Sequence, residues 1–211
     1  GLELNQAPAA VQGFGQVGSE LATHLYETGC RVVAVSDVNG GIYGEKGLDI
    51  PALKEHVRKT GSVADFPGSS ALTNDQVLEA DVDIMVPAAV HDVVHAGNAG
   101  NVKAKLIVEA ANGPLTTEAD QILMDRQVTV VPDVVANSGG ATVCHFERSQ
   151  GLSDEYWDLE RVNNTLRKRI IAAYTQSRDQ AREANTQSIR FGAWIHALKK
   201  LEKAMLLRGW I

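Results

Sequence analysis

The sequence contains little cysteine, since Cys30 and Cys144 are the only two among its 211 residues. They lie far apart and form no Cys-x-x-Cys spacing, which argues against a disulfide framework and against a zinc site. Neither cysteine belongs to a recognisable nucleophile constellation. Such a chain suits a reducing compartment, and we expect a cytoplasmic protein in which Cys30 is buried.

Long apolar runs and excess positive charge are also absent. No stretch approaches the roughly 20 apolar residues needed to cross a bilayer, and no basic leader precedes an apolar run at the N-terminus. The formal net charge is -6, so nothing draws the chain to nucleic acid or to an anionic membrane. We expect a soluble protein with neither partner.

Aromatic residues make up 5% of the chain, and histidines number six. The tryptophans lie in predicted helical segments without clustered basic neighbours, so we expect them to pack rather than to stack on bases: Trp157, Trp194 and Trp210. Three histidines near strand or loop ends do not combine with carboxylates into a ligand set: His91, His95 and His145. We therefore assign no metal.

The chain is rich in short, nearly uniformly apolar segments, as strands buried on both faces require. They cover residues 9–12, 31–37, 83–89, 105–112 and 128–133. Helical segments alternate with them at residues 16–28, 51–60, 74–79, 91–98 and 117–126. This alternation predicts an α/β fold, doubly wound around a mainly parallel sheet.

Local signals support the predicted helix ends. Asn74 is a candidate N-cap, and Pro51 suits the first turn of a helix. Thr117 with Asp120 resembles a capping box in which Asp replaces Glu. Gly29 is well placed to end the first helix. Beyond residue 150 the apolar spacing becomes helical over residues 154–183 and 188–208. We predict two domains, residues 1–150 with the sheet and residues 151–211 with C-terminal helices.

The six residues from Gly13 to Gly18 form a Gly-x-Gly-x-x-Gly motif between a predicted strand and a predicted helix. In that setting the glycines allow a sharp turn, a close approach of pyrophosphate, and tight packing of helix on strand. The helix N-terminus then faces the phosphates, so Gly15, Gln16 and Val17 are expected to supply backbone donors. The motif predicts a Rossmann-type dinucleotide-binding domain; a merely flexible turn is the alternative.

Asp37 ends the second predicted strand, at the roughly 20-residue spacing expected for a ribose-binding acid. Its carboxylate can accept a ribose hydroxyl but would repel a 2'-phosphate, which favours NAD over NADP. Val38, the next residue, is also predicted to bind the coenzyme. The residues after it include no nearby cation, although Lys46 could reach back from a loop. A turn-forming acid at a strand end is the alternative role.

Several separated segments closely resemble glutamate dehydrogenases: VQGFGQVG, VSDVNGGIYGEKGLD, VEAANGPLT, VPDVVANSGGATV and the terminal LLRGW. They occur in the family's order across nearly the whole chain. The resemblance implies the coenzyme-binding domain of an oxidoreductase that interconverts glutamate with 2-oxoglutarate and ammonia by hydride transfer to a nicotinamide. It also implies that the full-length enzyme is a homo-oligomer, usually a hexamer.

The resemblance also identifies what this chain does not contain. The family's first domain carries the lysine that activates water or ammonia and the aspartate that shuttles protons, and no matching segment is present. No catalytic residue is therefore assigned here. The C-terminal helices of the family return toward that first domain, so we expect exposed apolar surface on them, self-association, and little activity from this chain alone.

Further site residues follow from the resemblance alone. Ala88 and Ala89 match small residues beside the coenzyme, with core packing as the alternative. Asn112 matches an asparagine near the nicotinamide ribose, with a turn-forming role before Gly-Pro as the alternative. Asn137 matches the asparagine near the nicotinamide carboxamide and the substrate.

Two substrate-side positions depart from the family pattern. Where glutamate dehydrogenases usually present Val and then Ser, this chain has Ala141 and Cys144. A thiol is a weaker donor than a hydroxyl, which weakens the case for glutamate, while the following HFERSQ favours it. A small buried residue is the alternative for Cys144.

Two other functions remain open. A non-catalytic NAD-sensing module would need no acid-base residues, but it gives no reason for the ANSGG segment or the returning helices. A dehydrogenase of an apolar amino acid is the third possibility.

Overall fold

The computed structural model describes residues 3–210. The chain divides into two compact units, Gly1–Val130 and Val131–Ile211. The predicted boundary between residues 150 and 151 instead falls inside a helix of the second unit. The assignment of a function to each predicted domain stays a prediction.

A seven-stranded sheet runs through the first unit in the order β4-β3-β2-β1-β5-β6-β7. The strands are β1 (Pro8–Gln12), β2 (Arg31–Asp37), β3 (Gly40–Tyr43), β4 (Ser70–Leu72), β5 (Ile84–Pro87), β6 (Leu106–Val108) and β7 (Thr129–Val131). The pairs β1–β2, β1–β5 and β5–β6 are parallel, whereas β2–β3 and β3–β4 are antiparallel. All five predicted strands are confirmed, and the mainly parallel sheet with them.

Strands β3 and β4 were not predicted, because neither carries an apolar run. β3 begins with Gly40 and Gly41, and β4 has exposed Ser70 and Ala71. Gly41 is required by packing, since a Cβ there would lie 2.5 Å from Val77 Cγ2. The close approach of a neighbouring helix therefore selects a residue whose strand propensity is low.

The helices of the first unit are α1 (Gln16–Glu27), α2 (Ile50–Thr60), α3 (Asn74–Leu78) and α4 (Thr117–Asp125). Two N-caps lie one residue before the predicted ones. Thr73 forms a capping box with Gln76 at α3, and Thr116 caps α4 by accepting from the Ala119 amide at 3.2 Å. Gly29 follows α1 with a φ of +86°, as predicted.

The predicted helix over residues 91–98 is wrong. That segment consists of turns around an isolated bridge between Val94 and Leu115, and Asp92 has a φ of 54°. The Asn98 side chain accepts from the His95 amide at 2.8 Å and donates to the Val93 carbonyl at 2.9 Å. These side-chain bonds satisfy backbone groups locally and replace helical ones.

Both faces of the sheet are covered. Along β1, Ala9 and Val11 belong to one buried cluster with Ala22 of α1 and Leu53 of α2. Ala10 belongs to a second cluster with side chains of α3 and α4. Burial on alternate sides explains why the central strands are apolar throughout, and it confirms the doubly wound arrangement.

The second unit contains α5 (Asp133–Ala136), α6 (Gly139–Ser153), α7 (Leu159–Glu183) and α8 (Ile189–Leu207). The two long predicted helices are confirmed as α7 and α8, whereas α6 was not predicted. The backbones of α7 and α8 approach closely at Gly192, where a Cβ would overlap the carbonyl oxygen of Ser177. Ser177 and Ala181 are correspondingly buried.

The tryptophans divide into two groups. Trp157 packs as expected, with its ring centroid 5.3 Å from that of Phe146 and the Arg161 guanidinium 4.3 Å above it. Trp194 and Trp210 are 57% and 66% exposed, so the expected packing is wrong for them within the described chain.

One face of α8 is an exposed apolar stripe, as the resemblance led us to expect. Its members follow one another at intervals of three or four residues, and each is more than half exposed: Phe191, Trp194, Leu198 and Leu201. This spacing places them on one side of the helix. We refer to these four residues as the α8 stripe.

His196 of α8 makes the stability of the chain depend on pH. Burial lowers the pKa of its imidazole below the usual 6.5, and the charges of Lys200 and Lys199 lower it further. Its Nε2 atom is buried without a hydrogen-bond partner among the described residues. The unfolded chain therefore binds the proton at a higher pH than the folded chain does, so stability present above pH 6.5 is lost as the pH falls.

We expect the free energy of unfolding to decrease between about pH 7.5 and about pH 5.5, and His196→Gln to reduce that decrease because glutamine does not titrate. Chemical denaturation of both proteins at the two pH values measures the difference. An equal decrease in the two proteins would contradict the assignment to His196.

Candidate functional site

The sheet of the first unit has a topological switch point at the carboxyl end of β1. β1 pairs with β2 on one side and with β5 on the other, and all three are parallel. The connections that leave these strands turn in opposite directions, which opens a crevice at their carboxyl ends. The predicted glycine motif follows β1 at that crevice.

Gly13 begins the turn that leaves β1. Its φ is +97°, a region that L side chains rarely adopt, and its amide donates to the Ser36 carbonyl at 3.0 Å. A Cβ at this position would lie 2.9 Å from Ala89 Cβ and 3.0 Å from the Ala88 carbonyl carbon. Both conformation and space therefore require glycine here.

Gly18 and Gly15 are glycines for different reasons. A Cβ on Gly18 would overlap the carbonyl oxygen of Gly13, so its absence allows α1 to pack against the turn. Gly15 has φ -74° and ψ -162°, and a Cβ there would meet no atom within 4 Å. The protein's own packing leaves Gly15 unexplained, whereas a bound pyrophosphate would occupy the open space.

Gly15 is also the N-cap of α1, and no side chain caps the helix there. The first intrahelical bond is donated by the Ser19 amide to the Gly15 carbonyl at 2.9 Å. The amides of Gln16, Val17 and Gly18 therefore precede the hydrogen-bonded part of the helix. Gln16 and Val17 are exposed, which leaves this end accessible to an anion.

Ala88 and Ala89 adjoin the glycine turn. The Ala88 amide donates to the Gln12 carbonyl at 2.7 Å, and the Ala88 Cβ would lie 3.5 Å from a Cβ on Gly18. Ala89 is exposed. Small side chains keep this part of the crevice open, and their role beside a coenzyme stays a prediction.

Asp37 ends β2, and its carboxylate accepts three hydrogen bonds from neutral protein groups. Oδ1 accepts from the Asn39 amide at 2.7 Å, while Oδ2 accepts from the Ser62 hydroxyl at 2.8 Å and the Val63 amide at 2.7 Å. The backbone carbonyl of Asp37 accepts from Asn74 Nδ2 at 3.0 Å. This side chain is therefore held in one orientation at the carboxyl end of β2.

Two other predicted residues of the first unit are more exposed. Val38, in the turn between β2 and β3, is 95% exposed. Asn112 is exposed in the turn after β6, and Gly113 beside it has a φ of +55°. The structure thus places Asn112 beyond the carboxyl end of a strand parallel to β5, and its contact with a ribose stays a prediction.

Three predicted residues belong to the second unit. Asn137 is the C-cap of α5, and its amide donates to the Asp133 carbonyl at 3.0 Å. Ala141 and Cys144 are exposed, three residues apart on one face of α6. The buried role considered for Cys144 is therefore wrong, while Cys30 is buried as predicted.

Sequence reasoning missed the residues that surround Asp37. Ser62 and Val63 follow Gly61, which ends α2 with a φ of +79°, and no sequence motif connects them with β2. It also missed two buried side-chain oxygens, Gln12 Oε1 and Ser36 Oγ, that have no hydrogen-bond partner among residues 3–210. Their residues are opposite each other in β1 and β2.

Residues 3–210 contain no group of three or more His, Cys, Asp or Glu side chains arranged to hold a metal ion. Within the same part of the chain, none of the helices has the length and apolar character needed to span a membrane.

The sheet order, the switch point and the glycine turn define a Rossmann-type α/β fold. The model of the Glutamate/Leucine/Phenylalanine/Valine dehydrogenase family matches residues 1–209. The chain belongs to this family.

Individual relatives agree with this assignment. The chain is 44% identical to a glutamate dehydrogenase of Thermotoga maritima over 210 residues, which are 99% of this chain and 50% of that protein. It is 38% identical to the catabolic NAD-specific glutamate dehydrogenase RocG of Bacillus subtilis over 211 residues, 100% of this chain and 49% of the relative.

Solved structures give the same result. The leucine-bound hetero-hexameric glutamate dehydrogenase of Thermus thermophilus superposes with a TM-score of 0.91 at 32% identity, covering 99% of this chain and 49% of that one. The chain thus spans about half the length of the relatives that it matches.

Proposed function

We propose that this chain is the coenzyme-binding part of an NAD-dependent glutamate dehydrogenase. Gly15 carries the proposal, because it is an uncapped helix N-terminus with open space where its side chain would be. That arrangement fits the pyrophosphate of a dinucleotide. The similarity to RocG, which is named as NAD-specific, supports the choice of coenzyme.

The proposed roles of the residues follow from their positions. The amides of Gly15, Gln16 and Val17 bind the pyrophosphate, and Gly13 and Gly18 keep α1 against the sheet so that those amides face the crevice. Asp37 binds the adenosine ribose beside Val38. Ala88, Ala89 and Asn112 line the path to the nicotinamide half. The bound nicotinamide supplies the hydride chemistry.

The coenzyme preference rests on the charge near Asp37. The carboxylate receives hydrogen bonds from an amide, a hydroxyl and a second amide, all of which are neutral. None of the ion pairs formed by the described residues includes Asp37. Its negative charge therefore remains available to repel a 2'-phosphate, so NAD is preferred over NADP.

The substrate side of the proposal uses the second unit. Asn137 contacts the nicotinamide carboxamide and the substrate, and Ala141 and Cys144 face glutamate or 2-oxoglutarate. The catalytic lysine and aspartate belong to a first domain beyond this chain, and the α8 stripe is the surface that meets it. The complete enzyme is proposed to be a cytoplasmic hexamer, and the Thermus thermophilus relative is itself hetero-hexameric.

A fluorescence titration of the 211-residue chain with NADH and with NADPH tests the proposal. We expect saturable NADH binding and about tenfold or more weaker NADPH binding, because Asp37 accepts a hydroxyl and repels a phosphate. Failure of both nucleotides to bind a folded chain would contradict the proposal. Equal or tighter NADPH binding would contradict the role of Asp37 alone.

A further inference from the structure

The carboxylate of Asp37 has a limited number of acceptor sites. Two carboxylate oxygens offer about four lone-pair sites in total. The Ser62 hydroxyl, at 2.8 Å, and the Val63 amide, at 2.7 Å, occupy both acceptor sites of Oδ2. On Oδ1 the Asn39 amide uses one, at 2.7 Å. One acceptor site therefore remains, and it lies on Oδ1.

The Ser62 hydroxyl is itself fixed in this arrangement. Its oxygen accepts from the Ala64 amide at 3.1 Å while its proton is directed to Asp37 Oδ2. The Ser62 amide donates to Thr60 Oγ1 at 3.3 Å, so the loop that follows α2 is tied to the end of that helix. Ser62 thus connects a fixed loop to the carboxylate and prevents its rotation.

From these contacts we infer that Asp37 accepts only one of the two hydroxyls of the adenosine ribose, through Oδ1, and that Ser62 is the positioning residue that orients this oxygen. The inference rests on the proposed binding of NAD. A carboxylate free of protein donors could accept the 2'- and 3'-hydroxyls together, one on each oxygen. Here Oδ2 has no acceptor site for the second hydroxyl.

A double-mutant cycle between protein and ligand tests the number of hydroxyls. The dissociation constants of NADH and of its 2'-deoxyadenosine and 3'-deoxyadenosine analogues are measured for the wild-type chain and for Asp37→Ala. We expect one analogue to bind the wild type about tenfold or more weakly because of Asp37, and to lose that difference in Asp37→Ala. The other analogue should show the same difference from NADH in both proteins.

Coupling of Asp37 to both hydroxyls, or to neither, would overturn the inference while leaving the proposed function intact. Absence of NADH binding to the folded wild-type chain would overturn both. The two failures are therefore distinguishable in one set of titrations.

Ser62→Ala and Ser62→Thr test the positioning role. Ser62→Ala is expected to weaken NADH binding about three- to tenfold, and Ser62→Thr, which retains the hydroxyl, to restore it. The loss should disappear for the analogue that lacks the hydroxyl bound by Asp37. An equal loss for NADH and for that analogue would indicate a merely structural effect and would overturn the role of Ser62.

Discussion

Gly15→Val is expected to abolish NADH binding while leaving the stability of the chain nearly unchanged. The backbone at Gly15 is extended, with a negative φ of -74° and ψ -162°, and a Cβ there meets no protein atom within 4 Å. The added side chain would instead occupy the space in front of the first amides of α1. Pyrophosphate could no longer reach those amides, so the affinity should fall by roughly 100-fold or more.

Gly100→Val is the matched control for this variant. Gly100 is also exposed and also has no atom within 4 Å of a Cβ, but it lies in a turn away from the glycine motif. It should bind NADH as the wild type does, and both variants should melt near the wild-type temperature. Undiminished NADH binding by Gly15→Val would refute the proposed phosphate site.

Gly18→Ala is expected to have the opposite profile, with a large loss of stability. Its single added carbon would overlap the carbonyl oxygen of Gly13 and lie 2.8 Å from the Gly13 carbonyl carbon. Both atoms are backbone, so they cannot move aside as a flexible side chain would. α1 would have to shift away from β1, at a cost of about 3 kcal/mol in the free energy of unfolding.

Chemical denaturation of Gly18→Ala and Gly15→Ala separates packing from ligand space. Gly15→Ala adds the same methyl group three residues earlier, where it meets no atom within 4 Å, and should unfold near the wild-type midpoint. Equal stability of the two variants would mean that α1 and the turn are not packed as described.

The parts of the fold that the sequence predicted are those where one physical requirement dominates. Strands such as β2 are buried on both faces, so Val32, Val33 and Val35 produce an unbroken apolar segment. The glycine turn was predictable because each of its three positions meets a separate requirement for glycine. Together these requirements give the Gly-x-Gly-x-x-Gly spacing. In both cases the requirement leaves a recognisable pattern in the local sequence.

The elements that were missed depend on distant residues. Position 41 of β3 requires glycine because Val77 of α3 approaches it closely. The sequence of β3 itself contains no signal of that contact. The Asp37 network joins residues 25 and 26 positions apart, so its effect on ribose binding could not be inferred from the motif. For the segment over residues 91–98, helical spacing was outweighed by the local hydrogen bonds of Asn98.

The central position of β1 has a consequence for how the chain acquires its structure. β1 pairs with β2, which follows shortly after it, but also with β5, where Ala9 is opposite Ile84. The switch-point crevice therefore forms only after the long segment between β1 and β5 has been ordered, which slows folding. In contrast, α7 and α8 are joined by a short connection. During synthesis β1 and α1 emerge before β5, so the switch-point crevice cannot form until β5 has also been made.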